Sequence, residues 1–430
     1  VDAGIEGGDE TGMMSRPYGR LWSGFALLGI ILSLVAPCAA MAQTPEAPVQ
    51  PERDPWLDDM LAGMSTADKV GQLFLVTIEG SDAAADSEAA RLVQSLRVGG
   101  IILSPENRNF GNTPTAPDQV LSLTTALQEL AFTASMPVTI TRTVPVTFTA
   151  PHEPSTVPTP AQPEVRTTVV TVTDQITYAA QGVPLLIAVS QEGDGYPHTA
   201  LRAVFTELPS SMALGATWDD TNAEAVGSIV GRELSAVGIN LLFGPSLDVL
   251  RNPRPGLSDH LGTRVFGGDP YWAGRMGTAY ISGVHLGSEG RVATVAKHLP
   301  GLGESDRSLE EEVATVDKSL QDLRLIELPP FFAVTAAGTI TETADALMTA
   351  HIRYRGFQGN IRYVTPPISL HAQGMEQILG LSELATWREN GGVLVSDSLG
   401  VPAVRRYYSP ELASFPHRQI ALDAFQAGND

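Results

Sequence analysis

The sequence has 430 residues, 43% hydrophobic and 17% charged, which excludes a disordered chain and supplies apolar surface for a large core. Lys and Arg number 27 against 48 Asp and Glu, a formal charge of -21, which argues against nucleic acid as a partner because phosphate-backbone binding needs clustered cations. The only cysteine is Cys38, so no internal disulfide framework or thiolate metal site is expected.

Residues 1–42 read as upstream sequence followed by a signal peptide. Arg16 and Arg20 precede an uncharged apolar run from Leu21 to Val35, and Ala40-Met41-Ala42 forms a small-x-small cleavage site. Export to the periplasm or the outside of the cell follows, with membrane association only if this segment is retained. Residues 43–55 are rich in Pro and Glu and lack periodicity, the pattern of a flexible linker. The folded part is expected over 56–430.

Within it, strand-like apolar runs alternate with amphipathic stretches. The runs are Val70–Ile78, Gly99–Ser104, Val183–Val189, Asn240–Val249, Val292–His298, Ala346–Ile352 and Gly391–Asp397. Helical patterns fall at Ser87–Arg97, Asp118–Ala131, Asn222–Val237 and Ser319–Ala337. Repeated β-then-α order means a parallel sheet covered on both faces. Polar groups close nearly every run, as in Ser190-Gln191-Glu192, Asp248, Lys297-His298, His351 and Ser396-Asp397. A ring of such strand ends is what the active face of a (β/α)8 barrel of the TIM type requires, whereas a doubly wound sheet gathers its chemistry at one switch point. One stretch breaks the rhythm. Of the 43 residues in 136–178, 27 are Thr, Val or Pro, which fits a β-ribbon or arm inserted into the barrel, or else a solvated linker.

The densest stretch for chemistry is Lys297-His298-Leu299-Pro300-Gly301-Leu302-Gly303-Glu304-Ser305-Asp306. Its glycines allow close backbone approach and its Lys-His pair offers donors to hydroxyl or carbonyl groups. With Val316-Asp317-Lys318-Ser319-Leu320 and Glu327-Leu328-Pro329-Pro330-Phe331, it resembles the signature of glycoside hydrolase family 3, and within that family the bacterial β-N-acetylhexosaminidase branch. Further ordered matches are Gly99-Gly100-Ile101-Ile102-Leu103, Gln191-Glu192-Gly193, Gly244-Pro245-Ser246-Leu247-Asp248-Val249, Arg264-Val265-Phe266-Gly267, Met348-Thr349-Ala350-His351 and Val395-Ser396-Asp397-Ser398-Leu399-Gly400. Ala424–Asp430 resembles the lead-in to the family's last barrel strand, so a barrel cut at that strand is expected.

Asp397 closes an apolar run and should project at the C-terminal barrel face. There a retaining glycosidase needs a carboxylate nucleophile, the role the resemblance implies; the plainer reading is a cap for a helix near Leu399. The general acid is less well matched. The branch carries an Asp-Ser-His triplet in the loop after the Lys-His pair, and counting from Lys297 puts Ser308, Leu309 and Glu310 there. Glu310 is a tentative acid/base if burial raises its pKa, with Glu304, Asp306 and Glu311 as rivals; the plainer reading is a solvated helix start. Leu302 replaces a family histidine, and Ser190 stands where an aspartate contacts sugar hydroxyls. By resemblance, Arg264, Lys297 and His298 hold the sugar while Asp248 and His351 line the floor; otherwise these five form a strand-end polar network. The eight histidines show no metal-ligand spacing, and no nucleotide fingerprint occurs, so neither metal nor cofactor is implied.

The expected function is an exported glycosidase releasing terminal β-linked N-acetylglucosamine or a related sugar from a carbohydrate substrate by a retaining mechanism. The alternatives are a degenerate barrel that binds glycan without cleaving it, and a β-glucosidase.

Overall fold

The computed structural model describes residues 55–133, 136–140, 176–180, 182–195, 198–253, 261–305, 312–336, 338–362 and 364–430. Seven strands form one sheet in chain order: β1 (Leu75–Thr77), β2 (Gly100–Ile102), β3 (Leu186–Val189), β4 (Leu241–Ser246), β5 (Ala293–Leu299), β6 (Ala346–Thr349) and β7 (Val393–Ser396). Every neighbouring pair is parallel. This is the curled, helix-covered sheet of a TIM-type α/β barrel, as the alternating runs led us to expect.

Side-chain alternation shows its two faces. Ala188, Leu241, Phe243, Val295, Ala346 and Met348 pack together on the inside, joined by partly buried Val395. Their neighbours Ile187, Leu242, Ala296, Leu347 and Leu394 point outward into the main core beneath the helices. Six of the seven strands are shorter than the apolar runs, because sequence hydrophobicity also marks the flanking turns; β5 alone matches its run in length. Residues 70–72, for example, end a helix, Thr66–Gln72, started by a capping box between Ser65 and Asp68.

The helices follow their stop and start signals. α1 (Ala116–Thr133), α2 (Asp220–Ala236) and α3 (Pro270–Ser288) cover the outer face. Asp219 caps α2, and Asp269 caps α3 with Pro270 at its first turn. α2 and α3 approach backbone to backbone: a Cβ at Gly227 or Gly231 would lie 2.2 Å from the Tyr280 or Val284 carbonyl oxygen. The helix expected over Ser319–Ala337 is broken into Leu320–Leu325 and α4 (Pro329–Thr335), because Pro329 and Pro330 cannot donate into a continuing ladder. Ser87–Arg97 contains a short α-helical turn followed by a π-helix at Arg91–Ser95.

The inserted Thr/Pro/Val stretch begins and ends in a two-stranded antiparallel ribbon, Met136–Ile140 against Ile176–Ala180; the rest of it lies outside the described residues, as do residues 1–54, while Pro55, the last residue of the expected linker, opens the helix Pro55–Gly63. Gly428–Asp430 returns to the free edge of β7. There the Asp430 amide donates to the Leu394 carbonyl at 2.8 Å, and the Leu394 amide donates to the Asp430 carboxylate at 2.9 Å.

Candidate active site

The inward alternation of each strand, continued one step, sets the site above the interior layer. On β5, Lys297 follows Ala293 and Val295, and beyond β7, Asp397 follows Val395. The β5–β6 ladder skips a residue between Lys297 and Leu299. Such an irregularity re-aims side chains, and here two consecutive residues both serve one site: Lys297 reaches Glu192 and His298 reaches Asp248.

Glu192 is the hub. Its side chain is 3% exposed and pairs with both the Lys297 ammonium and the Arg264 guanidinium, with Arg264 Nη2 donating to Oε1 at 3.2 Å. Arg264 arrives on the turn Gly262–Arg264, which an isolated parallel bridge between Val265 and Ser246 docks beside β4. Burial works to raise the Glu192 pKa, but Lys297 and Arg264 outweigh it and hold the carboxyl far below the usual range.

Asp248 is fully buried. One oxygen meets His298 Nδ1 at 2.7 Å and accepts from the Ser246 hydroxyl at 2.8 Å; the other accepts from the Leu302 amide at 2.7 Å. With protein donors on both oxygens, Asp248 orients His298 and the start of the following loop instead of presenting a free carboxylate on the floor. His351 is similarly occupied, its Nδ1 2.7 Å from the Ser369 hydroxyl and its Nε2 3.0 Å from the Ser398 carbonyl. Burial pushes its pKa down. A ring donating from Nε2 to the Ser398 carbonyl fixes the backbone beside Asp397.

Asp397 is half-buried. Its amide donates to the Thr349 carbonyl at 3.0 Å, and its Oδ1 accepts from the Ser398 amide at 2.7 Å. The next helix starts only at Pro402, with Val401 at its cap position, so the helix-cap reading of Asp397 does not hold. Burial raises its pKa, but His351, His298, the Ser398 amide and Lys297 together bring it below the usual carboxylate range. The group is therefore an anion at neutral pH, held at the mouth of the sheet among donors. That is the state a carboxylate nucleophile needs.

Beneath the loop that leaves β5, a second charged cluster pins Gly301–Glu304. Lys318 Nζ lies 2.5 Å from Glu327 Oε1 and 3.7 Å from Glu304 Oε1, and the Tyr354 hydroxyl donates to the Gly301 carbonyl. A side chain at Gly301, whose φ is +129°, would collide with Glu327 at 2.7 Å. Burial outweighs Lys318 and pushes the Glu327 pKa from 4.5 up to about 7. The folded state thus binds the extra proton, so stability from this group is complete below about pH 4.5 and is lost as pH rises through about 7. Relative to Glu327→Gln, the wild type is expected to lose about 3 kcal/mol between pH 4.5 and 8. Urea unfolding at both pH values checks this, and an equal change in the two proteins would contradict it.

Of the residues singled out in sequence, Arg264, Lys297, His298, Asp248, His351 and Asp397 converge. Glu310 lies outside the described residues, with Asp306 to Leu309. Leu302 is 1% exposed and packs in the main core, so no polar group stands there. Sequence reasoning did not single out Glu192 as the hub, nor Asp194 and His198, which share its electrostatic neighbourhood. The available signal was the strand-end position of Glu192. Among the described residues no cluster of three metal-ligating side chains occurs, and no helix is long and apolar enough to cross a membrane.

Parallel strands around one apolar interior, with a carboxylate and a Lys-His pair at their C-terminal ends, define a TIM-type barrel with its site in the usual place for that fold. The family model for the glycosyl hydrolase family 3 N terminal domain matches residues 160–430, and the chain belongs to that family. A beta-hexosaminidase of Pseudomonas aeruginosa is 35% identical over 174 residues, 40% of this chain and 47% of the relative. One of Nitrosomonas eutropha is 31% identical over 257 residues, 58% and 65% of the two chains. Among solved structures, a family 3 β-N-acetylglucosaminidase from a Paenibacillus species superposes with a TM-score of 0.62 at 29% identity, covering 85% of this chain and 54% of that one. The chain spans about half the length of the curated relatives it matches.

Proposed function

We propose that this barrel is the catalytic unit of an exported retaining glycosidase that releases terminal β-linked N-acetylglucosamine. The observation that carries the reading is Asp397, ionised and oriented beside Lys297, His298 and His351 at the strand ends. The named relatives support the choice of sugar. In the reaction, the Asp397 carboxylate attacks the anomeric carbon as the glycosidic bond breaks, and the leaving oxygen takes a proton. Water then hydrolyses the glycosyl ester, restoring the carboxylate. Arg264 and Lys297, already anchored by Glu192, present their remaining N–H groups to sugar oxygens, and His298 is held by Asp248.

Glu310 is the proposed proton donor. Protonation contributes about 10²–10⁴-fold for a poor leaving group and little for a nitrophenolate. Glu310→Gln is therefore expected to slow release from oligosaccharides about 10²-fold or more while nearly sparing aryl N-acetylglucosaminides. Equal rates on oligosaccharide would remove Glu310 from the mechanism. The buried Leu302 and the Ser308-Leu309 pair favour a second reading, a barrel that binds N-acetylglucosamine without cleaving it. Binding with no turnover of either substrate would decide for that reading, and faster turnover of aryl β-glucoside would move the specificity to glucose.

A further inference from the structure

Segments that lead from a strand to the next helix lie at the C-terminal strand ends of such a barrel, the side on which the candidate site opens. Two of them carry exposed aromatic rings. Trp218, at the end of the connection from β3 to α2, is 60% exposed, and Tyr271, in the first turn of α3 after β4, is 62% exposed. Trp272 touches both, its ring centre 5.3 Å from that of Trp218 and 5.8 Å from that of Tyr271, each contact near perpendicular. The cluster adjoins the site through the backbone. A Cβ at Gly215 would fall 1.7 Å from the carbonyl oxygen of Phe266, two residues beyond Arg264. The amide of Leu250, two residues beyond Asp248, donates to the Gly267 carbonyl at 3.0 Å. Tyr271 itself follows Arg264 by seven residues, a span of at most about 25 Å.

The rings are clamped in place by Arg275, one turn along α3. It donates to the Tyr271 hydroxyl at 3.3 Å and to the Asp220 carboxylate from Nε at 3.0 Å and from Nη2. Its guanidinium carbon lies 6.0 Å and 5.7 Å from the Tyr271 and Trp272 ring centres. Three of its five N–H groups are thus engaged, and among the described residues two remain to donate. Trp218 has a φ of +55°, a left-handed conformation that glycine adopts freely and a bulky residue does not. Neither that turn nor the core calls for a tryptophan there. Exposed rings that gather in this way mark a binding surface more often than rings scattered singly.

The size and chemistry of the patch select its occupant. Two aromatic side chains exposed to this extent offer roughly 250 Å², well below the about 800 Å² per partner that a stable protein interface buries. A pyranose fits better: its C–H face packs on the negative face of a ring, and its polar rim needs donors and acceptors alongside. The formal charge of -21 disfavours an acidic glycan, whereas an N-acetyl amide is neutral and its carbonyl accepts from Arg275. We propose that Trp218, Tyr271 and Arg275 form an accessory platform on the barrel rim that binds a chain of β-linked N-acetylglucosamine and keeps the polymer beside the candidate site. The identity of the sugar rests on the glycosidase reading; binding at the platform needs no turnover.

The test compares wild type, Trp218→Gly and Tyr271→Ala in binding to insoluble chitin, read from depletion isotherms, and in kcat and KM on an aryl N-acetylglucosaminide. Each variant should bind chitin about 10-fold more weakly, with kcat and KM on the aryl sugar unchanged. Trp218→Gly places glycine at the positive φ, so it should melt close to wild type and separate loss of the ring from loss of the fold. Soluble chitohexaose should release wild type from chitin, and cellohexaose, which lacks the amide, should not. Variants that bind chitin as tightly as wild type, losses shared equally by chitin and the aryl sugar, or equal release by cellohexaose would overturn the proposal. So would a dimer, seen by light scattering, that dissociates in Trp218→Gly, since the rings would then serve a second copy of this chain. A wild type inactive on the aryl sugar would remove the glycosidase reading, while chitin binding that depends on both rings would still uphold the platform.

Discussion

Asp397→Asn is expected to lower kcat by about 10⁴-fold or more, the scale seen when a covalent catalyst is removed from an otherwise intact site. The substitution is isosteric, and the amide oxygen can still accept from the Ser398 amide that now holds Oδ1 at 2.7 Å. The loss should therefore appear in turnover and not in folding or in sugar affinity. Asp397→Ala should show the same defect and recover part of its turnover with azide, a small nucleophile able to occupy the vacated side, giving an α-configured glycosyl azide. If the asparagine variant keeps wild-type turnover, the carboxylate among His351, His298 and Lys297 is not the nucleophile.

Glu192→Gln should cost the most stability of any single change in the site. Glu192 is the counter-charge for two buried cations, with the side chains of Arg264 and Lys297 11% and 5% exposed. Removing one partner of a buried pair typically costs about 3–5 kcal/mol, because the remaining charge stays desolvated. Here both cations are stranded at once. Sugar binding should weaken too, since Arg264 and Lys297 would no longer be held in their present geometry. Adding Lys297→Met to Glu192→Gln removes one stranded charge, so the double variant should unfold at a higher temperature than Glu192→Gln alone. Strictly additive losses would show that the three groups are not energetically coupled.

The sequence disclosed the site wherever chemistry sat at the end of an apolar run. Lys297-His298 and Asp397 could be read because strand period and polar closure coincide there. Asp248 and His351 were found by the same signal, but their work was not: hydrogen bonds to His298 and Leu302, and to Ser369 and Ser398, come from segments 18 to 54 residues away in the chain. Glu192 was visible only as one of three polar residues after β3. Its two cationic partners meet it across 72 residues in one case, and no local pattern encodes such a meeting. The split at Pro329 was present in the sequence and lost to a hydrophobic period that runs on through it.

The most direct test of the account is covalent trapping. A fluorinated N-acetylglucosaminide with a good leaving group slows hydrolysis of the glycosyl ester more than its formation, so the intermediate accumulates. Intact mass spectrometry should show one added sugar per chain, and peptide mapping should place it on Asp397, with Asp397→Asn unlabelled. Labelling of another carboxylate, or turnover of the unfluorinated substrate by a protein that never acquires the label, would contradict Asp397 as the nucleophile of a retaining enzyme.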